Sequence, residues 1–136
     1  MLNSQKIGNE LYQNLGKLFY AVAMADKAIR PIEVQRLKEA INDKWLDVDE
    51  VEDEFGEDAA YQIEIVFDWL QDEERDGQFY FDEFKEFFEE HKDRIPPKMI
   101  TLIWQTAEAI AASFAGKNKS ELIILTKLKL FLKSIQ

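Results

Sequence analysis

Apolar side chains recur at intervals of three and four residues along nearly the whole chain, the spacing of one face of an α-helix. The runs before Pro96 are Leu11, Leu15, Leu18 and Val22; Val34, Leu37, Ile41 and Trp45; Ile63, Val66, Phe67 and Leu70; and Phe81, Phe84 and Phe88. The runs after Pro97 are Ile100, Ile103, Trp104, Ala107, Ile110, Ala111 and Phe114, and then Leu122, Leu125, Leu128, Leu132 and Ile135. We therefore expect an all-α fold, a single compact helical bundle of about six to seven helices over residues 1–136.

Composition narrows the function classes. The chain has 136 residues, of which 46% are apolar, enough to bury one core. Cysteine is absent, which excludes disulfides, thiolate metal sites and cysteine nucleophiles. The one histidine, His91, falls near the end of a predicted helix, and we interpret it as a helix-end residue because no partner for catalysis is visible. The five glycines are isolated and form no phosphate-binding loop, so the chain is predicted not to be an enzyme.

Charge is distributed unevenly along the chain. Residues 43–93 carry 21 acidic and 4 basic side chains, a net charge of −17, whereas the rest of the chain carries +7. A concentrated negative charge favours cations or basic partners and disfavours phosphate backbones. The alternative is that the acids form a solvated face, or that the acidic middle attracts the basic flanks. Five lysines near the C-terminus are likewise interpreted as a solvated face rather than a nucleic-acid site: Lys117, Lys119, Lys127, Lys129 and Lys133.

Targeting signals are not evident in this sequence. Met1 to Gly8 lacks a basic start followed by an apolar stretch, and the longest uninterrupted apolar run, Leu18 to Ala25, is far shorter than the ~18 residues of a bilayer span. We therefore expect a cytoplasmic protein without an integral membrane segment.

The strongest local motif is the acidic stretch from Asp72 to Glu83. It resembles the twelve-residue calcium loop of the EF-hand family, which places oxygen ligands at positions one, three and five, glycine at six and a bidentate glutamate at twelve. Gly77 occupies the glycine position, and Gln78 would supply a backbone carbonyl. The predicted metal ligands are Asp72, Glu74, Asp76, Gln78 and Glu83.

The oxygen-rich composition of this loop suits Ca²⁺, or the smaller Mg²⁺, because both are hard cations. Three positions depart from the family pattern: Glu74 is longer than the usual aspartate, Arg75 brings a positive charge, and Tyr80 supplies no carboxylate. The alternative interpretation is an acidic turn in which Gly77 reverses the chain without binding metal.

Two further segments, one near each end, share a pattern. Leu18 to Asp26 is alanine-rich and continues through Lys27-Ala28-Ile29 to Glu33; Ala107 to Ala115 is alanine-rich and continues through Gly116 to Glu121. Together they resemble the two related halves of the tellurite-resistance TerB family. The resemblance implies a compact helical bundle, an association with tellurite resistance and stress response, and, as proposed for some members, an acidic metal-binding surface.

The family pattern is not complete in this chain. Lys27 stands where the family has glycine, and Gly116-Lys117 stands where it has Asp-Gly. Of the acidic positions, Asp26, Glu33 and Glu121 carry over. The resemblance also implies that the acidic middle, residues 43–93, is an insertion.

Two functional hypotheses follow. The first is a non-enzymatic, TerB-like, stress-associated domain that binds a divalent cation through the loop Asp72 to Glu83. The second is a metal-free adaptor whose acidic middle docks a partner protein with a basic surface. They differ in whether the carboxylates of residues 72, 76 and 83 converge on one point or diverge into solvent.

Overall fold

The structure, a computed structural model, describes residues 4–24, 35, 38–39, 63–70, 77–95, 97–113 and 119–135. Four α-helices in these ranges are α1 (Ser4–Ala23), α2 (Gly77–Glu90), α3 (Pro97–Ser113) and α4 (Lys119–Ser134). Residues 63–70 are also helical, and a 3₁₀ helix spans Lys92–Arg94. No residue in the described ranges lies in a strand, so the predicted all-α class is confirmed there. The second predicted helix, around Val34 to Trp45, lies almost wholly outside the described residues.

Helix α1 occupies the centre of the described fold. It packs against α2, α3 and α4, and its residue Gly16 lies against the helical residues 63–70. Six consecutive side chains, Leu18 to Ala23, are almost completely buried. A helical segment buried all round its circumference must be covered on every side, and the unbroken apolar run from Leu18 to Ala23 allows this.

Aromatic side chains from several helices form the core around α1. Phe81, Phe84 and Phe88 of α2 are fully buried, as their helical spacing predicts. The ring of Tyr20 meets the rings of Phe67 and Tyr80 edge-on, with centroids 5.6 and 5.5 Å apart. Such edge-to-face pairs add to the apolar burial that holds the helices together.

Backbone hydrogen bonds mark the end of α2, and a proline marks the start of α3. The backbone amide of His91 donates to the Phe87 carbonyl (3.1 Å), and that of Arg94 donates to the His91 carbonyl (2.9 Å). His91 thus lies at the helix end, which confirms its predicted position. Helix α3 begins at Pro97, a position where proline is favoured because its missing N–H would have no partner. None of the described helices is both long and apolar enough to cross a membrane.

Candidate functional site

The predicted cation loop is only partly within the described residues. Asp72, Glu74 and Asp76 lie outside them. Gln78 and Glu83 lie in α2, which begins at Gly77. Helical geometry directs the carbonyl oxygen of residue 78 towards the backbone amide of residue 82. The cation hypothesis assigns this same carbonyl oxygen to the ion, whereas in the helix it faces a backbone amide.

The side chain of Gln78 joins α2 to α4. Its Nε2 donates to Asp82 Oδ1 (2.8 Å), while Lys127 Nζ donates to its Oε1 (3.3 Å). Gln78 therefore connects one carboxylate of α2 to a lysine of α4.

Glu83 is paired with a lysine of α1. Lys17 Nζ lies 3.1 Å from Glu83 Oε1, and the two side chains keep 22% and 39% of their exposure. The pair crosses the α1–α2 interface at its edge, so the Glu83 carboxylate remains accessible to solvent. In this structure it holds the ammonium group of Lys17.

An open groove of about 220 Å³ lies beside this pair, between α1 and α2. Its lining residues are Asn14, Lys17, Glu83, Glu86, Phe87 and Glu90. The four α2 members are three and four residues apart and so share one face of the helix. We call this the acidic groove.

Phe87 supplies the largest apolar surface in the acidic groove. Its ring stacks on that of His91, with centroids 4.3 Å apart and an interplanar angle of 28°. His91 Nδ1 also lies 2.9 Å from the Phe87 carbonyl oxygen, which fixes the imidazole at the end of α2. The groove therefore combines carboxylates with a half-buried aromatic ring that stacks on His91.

The acidic residues of α2 lie at positions where their charges destabilise the helix. Its first turn has no acidic residue and its last turn no basic one; Glu89 and Glu90 instead lie at the negative end of the helix dipole. Glu86 is also four residues from both Asp82 and Glu90, a spacing at which each like-charge pair destabilises a helix by roughly 0.2–0.5 kcal/mol. A cation bound along this face would relieve both effects.

The carboxylates of this face are spread along the helix rather than gathered at one point. Within the part of the chain that the structure describes, no three histidine, cysteine, aspartate or glutamate residues form a group that could hold a metal ion. Glu83, Glu86 and Glu90 instead follow one another over about 10 Å, since seven residues of helix rise 1.5 Å each. That arrangement suits an elongated ligand with more than one positive charge.

Sequence reasoning identified Glu83 but not the acidic groove around it. The spacing of Glu83, Glu86 and Glu90 was a signal for a shared acidic face. The contribution of Lys17 and Asn14 had no such signal, because it depends on how α1 packs on α2. Comparisons with protein-family models, curated proteins and solved structures found no match to this chain.

Proposed function

We propose that this chain is a non-enzymatic helical interaction domain that binds a basic segment of a partner protein in the acidic groove. The observation that carries the proposal is the alignment of Glu83, Glu86 and Glu90 with the ring of Phe87 along the face of α2 beside α1. This is a specific form of the adaptor hypothesis, with one binding surface, one type of ligand and named contact residues.

Arginine side chains fit this groove best. A guanidinium group can donate two parallel N–H···O hydrogen bonds to one carboxylate and can also stack on an aromatic face. The glutamates extend over about 10 Å, and three residues of a polyproline II segment, one full turn that brings the side chain back to the same side, cover a similar length at about 3.1 Å each. Two arginines three positions apart can therefore reach both ends of the groove.

The charge of the surrounding sequence supports the same ligand. The net charge of −17 over residues 43–93 creates a field that attracts a basic segment before contact. At the groove, an arginine competes with Lys17 for Glu83, at the cost of a partly exposed ion pair that contributes little to stability.

Fluorescence anisotropy with a labelled Arg-x-x-Arg peptide tests the proposal. We expect saturable binding that weakens with salt, because exposed charges are screened over about 8 Å at physiological ionic strength. Glu86→Gln and Glu90→Gln should each weaken binding about two- to fivefold, because an ion pair of an exposed carboxylate contributes up to about 1 kcal/mol. Glu89→Gln is the matched control: it removes the same charge from the same helix, from an exposed residue that does not line the groove.

Two results would contradict this function. One is absence of binding by the wild-type chain at about 1 mM peptide, which corresponds to less than about 4 kcal/mol of binding free energy. The other is an equal loss in all three variants, which would mean that the peptide responds to net charge and not to the groove.

Divalent-cation binding through the loop Asp72 to Glu83 is the second candidate. The observation in its favour is that the Glu83 carboxylate is partly exposed and already pairs with a positive charge. Isothermal titration of chelator-treated protein with Ca²⁺ and then Mg²⁺ tests it. One-site heat that disappears in Glu83→Gln would support this function, whereas no heat and no thermal stabilisation at millimolar calcium would oppose it.

The cellular context is proposed from the sequence resemblance alone. A TerB-like role in tellurite resistance or stress response is compatible with either ligand and stays a prediction, as does the cytoplasmic location. Loss of tellurite tolerance in cells that lack this chain, restored by the wild type but not by Glu86→Gln, would connect the acidic groove to that role.

A further inference from the structure

Helix α4 is apolar on both of its sides. Its inner side is buried through Ile124, Leu125, Leu128, Phe131 and Leu132, and Ile135, directly after the helix, is buried as well. Its outer side carries Leu122 and Ile123, each 49% exposed, and Leu130, which is 65% exposed. Surface helices of soluble domains normally keep the outer side polar, whereas α4 exposes these three apolar residues among its lysines.

The exposed apolar residues of α4 form one strip. Leu122, Thr126 and Leu130 follow one another at intervals of four, and Ile123 lies beside them, so the strip extends about 12 Å along the helix axis. Lysines border both sides: Lys127 on one, and Lys129 and Lys133 on the other. We call this the α4 strip.

An open groove of about 200 Å³ continues the α4 strip towards α3. It is lined by Ile100, Thr101 and Trp104 of α3 and by Lys129, Leu132 and Lys133 of α4. The lining is mainly apolar, and the two lysines are the same ones that border the strip. A protruding apolar side chain can enter the groove while a carboxylate beside it meets a lysine.

We propose that the α4 strip and its groove dock an acidic amphipathic helix from a partner protein. Leucine-type side chains of that helix lie on Leu122, Ile123 and Leu130, and one of them enters the groove beside Trp104. Glutamates or aspartates of the partner helix pair with Lys129 and Lys133. These ion pairs fix the orientation of the bound helix, and the same lysines repel basic helices. This surface differs from the acidic groove and takes a ligand of the opposite charge.

Charge and shape favour this partner over an anionic membrane. The lysines attract either one, but a chain with a net charge of −10 is repelled by an extended anionic surface as a whole. A single helix, in contrast, lies within reach of the lysines alone because charges beyond about 8 Å are screened. The concave groove is also matched by one inserted side chain, as in helix-in-groove complexes.

The test uses an acidic peptide helix with leucines at positions i, i+3, i+4 and i+7 and glutamates elsewhere, labelled for anisotropy. We expect binding to the full chain with Kd on the order of 10–100 μM, since the contact surface is small. Lys129→Glu with Lys133→Glu should weaken it at least tenfold, and should allow the matching lysine peptide to bind. Lys92→Glu with Arg94→Glu, which reverses two exposed cations of the 3₁₀ helix, is the charge-matched control and should change little.

Leu130→Ser separates the apolar contribution from the charges. Because Leu130 is 65% exposed, this variant should keep the wild-type melting temperature and still bind the peptide at least fivefold more weakly. In protein labelled with fluorotryptophan, the peptide should shift the Trp104 signal, which Trp104→Phe assigns.

Three outcomes would overturn the proposal. The first is no binding of the acidic peptide at about 1 mM. The second is co-sedimentation with phosphatidylglycerol–phosphatidylcholine vesicles that Lys129→Glu/Lys133→Glu abolishes, without peptide binding; this would make the strip a membrane contact. The third is concentration-dependent self-association that Leu130→Ser abolishes, which would make the occupant a second copy of this chain.

Discussion

Gly16 lies where α1 approaches the helical residues 63–70 most closely. A Cβ built at Gly16 would lie 2.9 Å from Val66 Cβ, 3.0 Å from Val66 Cγ1 and 3.2 Å from the Ile63 carbonyl oxygen. Neither a Cβ atom nor a backbone oxygen can rotate away, so Gly16→Ala forces the two helices apart. Inserting a methyl group into a tight contact of this kind costs about 1–3 kcal/mol.

Helix propensity acts in the opposite direction at this position. Alanine is about 1 kcal/mol better than glycine in a helix interior. Since the clash involves rigid atoms, we take the upper part of the over-packing range, about 2–3 kcal/mol, and expect Gly16→Ala to destabilise the chain by about 1–2 kcal/mol.

Gly77→Ala is the matched control for this substitution. At Gly77, the first residue of α2, a Cβ would meet atoms of Ala21 at 3.4, 3.5 and 3.8 Å, which are ordinary contacts. We expect the free energy of unfolding of Gly77→Ala to be unchanged or up to about 1 kcal/mol higher. Urea unfolding followed by far-UV circular dichroism measures both variants. A Gly16→Ala variant as stable as the wild type would refute the close packing of α1 on residues 63–70.

Three further outcomes are expected. Phe84→Ala empties a fully buried site in contact with Phe88 and Phe131, so it should lower the free energy of unfolding by about 3–5 kcal/mol. Phe79 is 41% exposed, so Phe79→Ala should change the free energy of unfolding by less than about 1 kcal/mol. Urea unfolding measures both variants. Lys17→Met should lower the free energy of unfolding by less than about 1 kcal/mol, because it removes a partly exposed ion pair. It should also strengthen binding of the Arg-x-x-Arg peptide in the anisotropy assay, because Glu83 then pairs with the ligand alone. Weaker binding would contradict this. Glu90→Lys should stabilise α2 by roughly 0.5–1 kcal/mol at its dipole end while weakening that peptide at least tenfold, and a loss of stability would contradict the charge argument.

The helical class could be predicted from the sequence because it depends on local spacing. The intervals of three and four among Leu15, Leu18 and Val22 are sufficient to place them on one face, and all three are fully buried. The last helix is different: its run at intervals of three and four begins with Leu122, which is 49% exposed, whereas Ile124, outside that run, is buried. In a helix with apolar residues on more than one side, spacing alone does not identify the inner side.

The candidate sites were less predictable because they combine helices that are distant in the sequence. Lys17 meets Glu83 only after α1 has packed on α2, and Trp104 meets Lys133 only after α3 has packed on α4. The motif around Gly77 predicts a calcium loop from Asp72 to Glu83, but α2 begins at Gly77. The helical pattern of Tyr80, Phe81 and Phe84 therefore extends further towards the N-terminus than the turn-forming glycine suggested.

The most direct test of the acidic groove is a map of backbone amide chemical shifts on addition of the Arg-x-x-Arg peptide. We expect the largest changes at residues 14, 17 and 83–90, which line the groove or flank it, with little change along α4. The same residues should shift less in Glu86→Gln. Changes concentrated outside α1 and α2, or none at saturating peptide, would contradict the assignment of this groove as the binding surface.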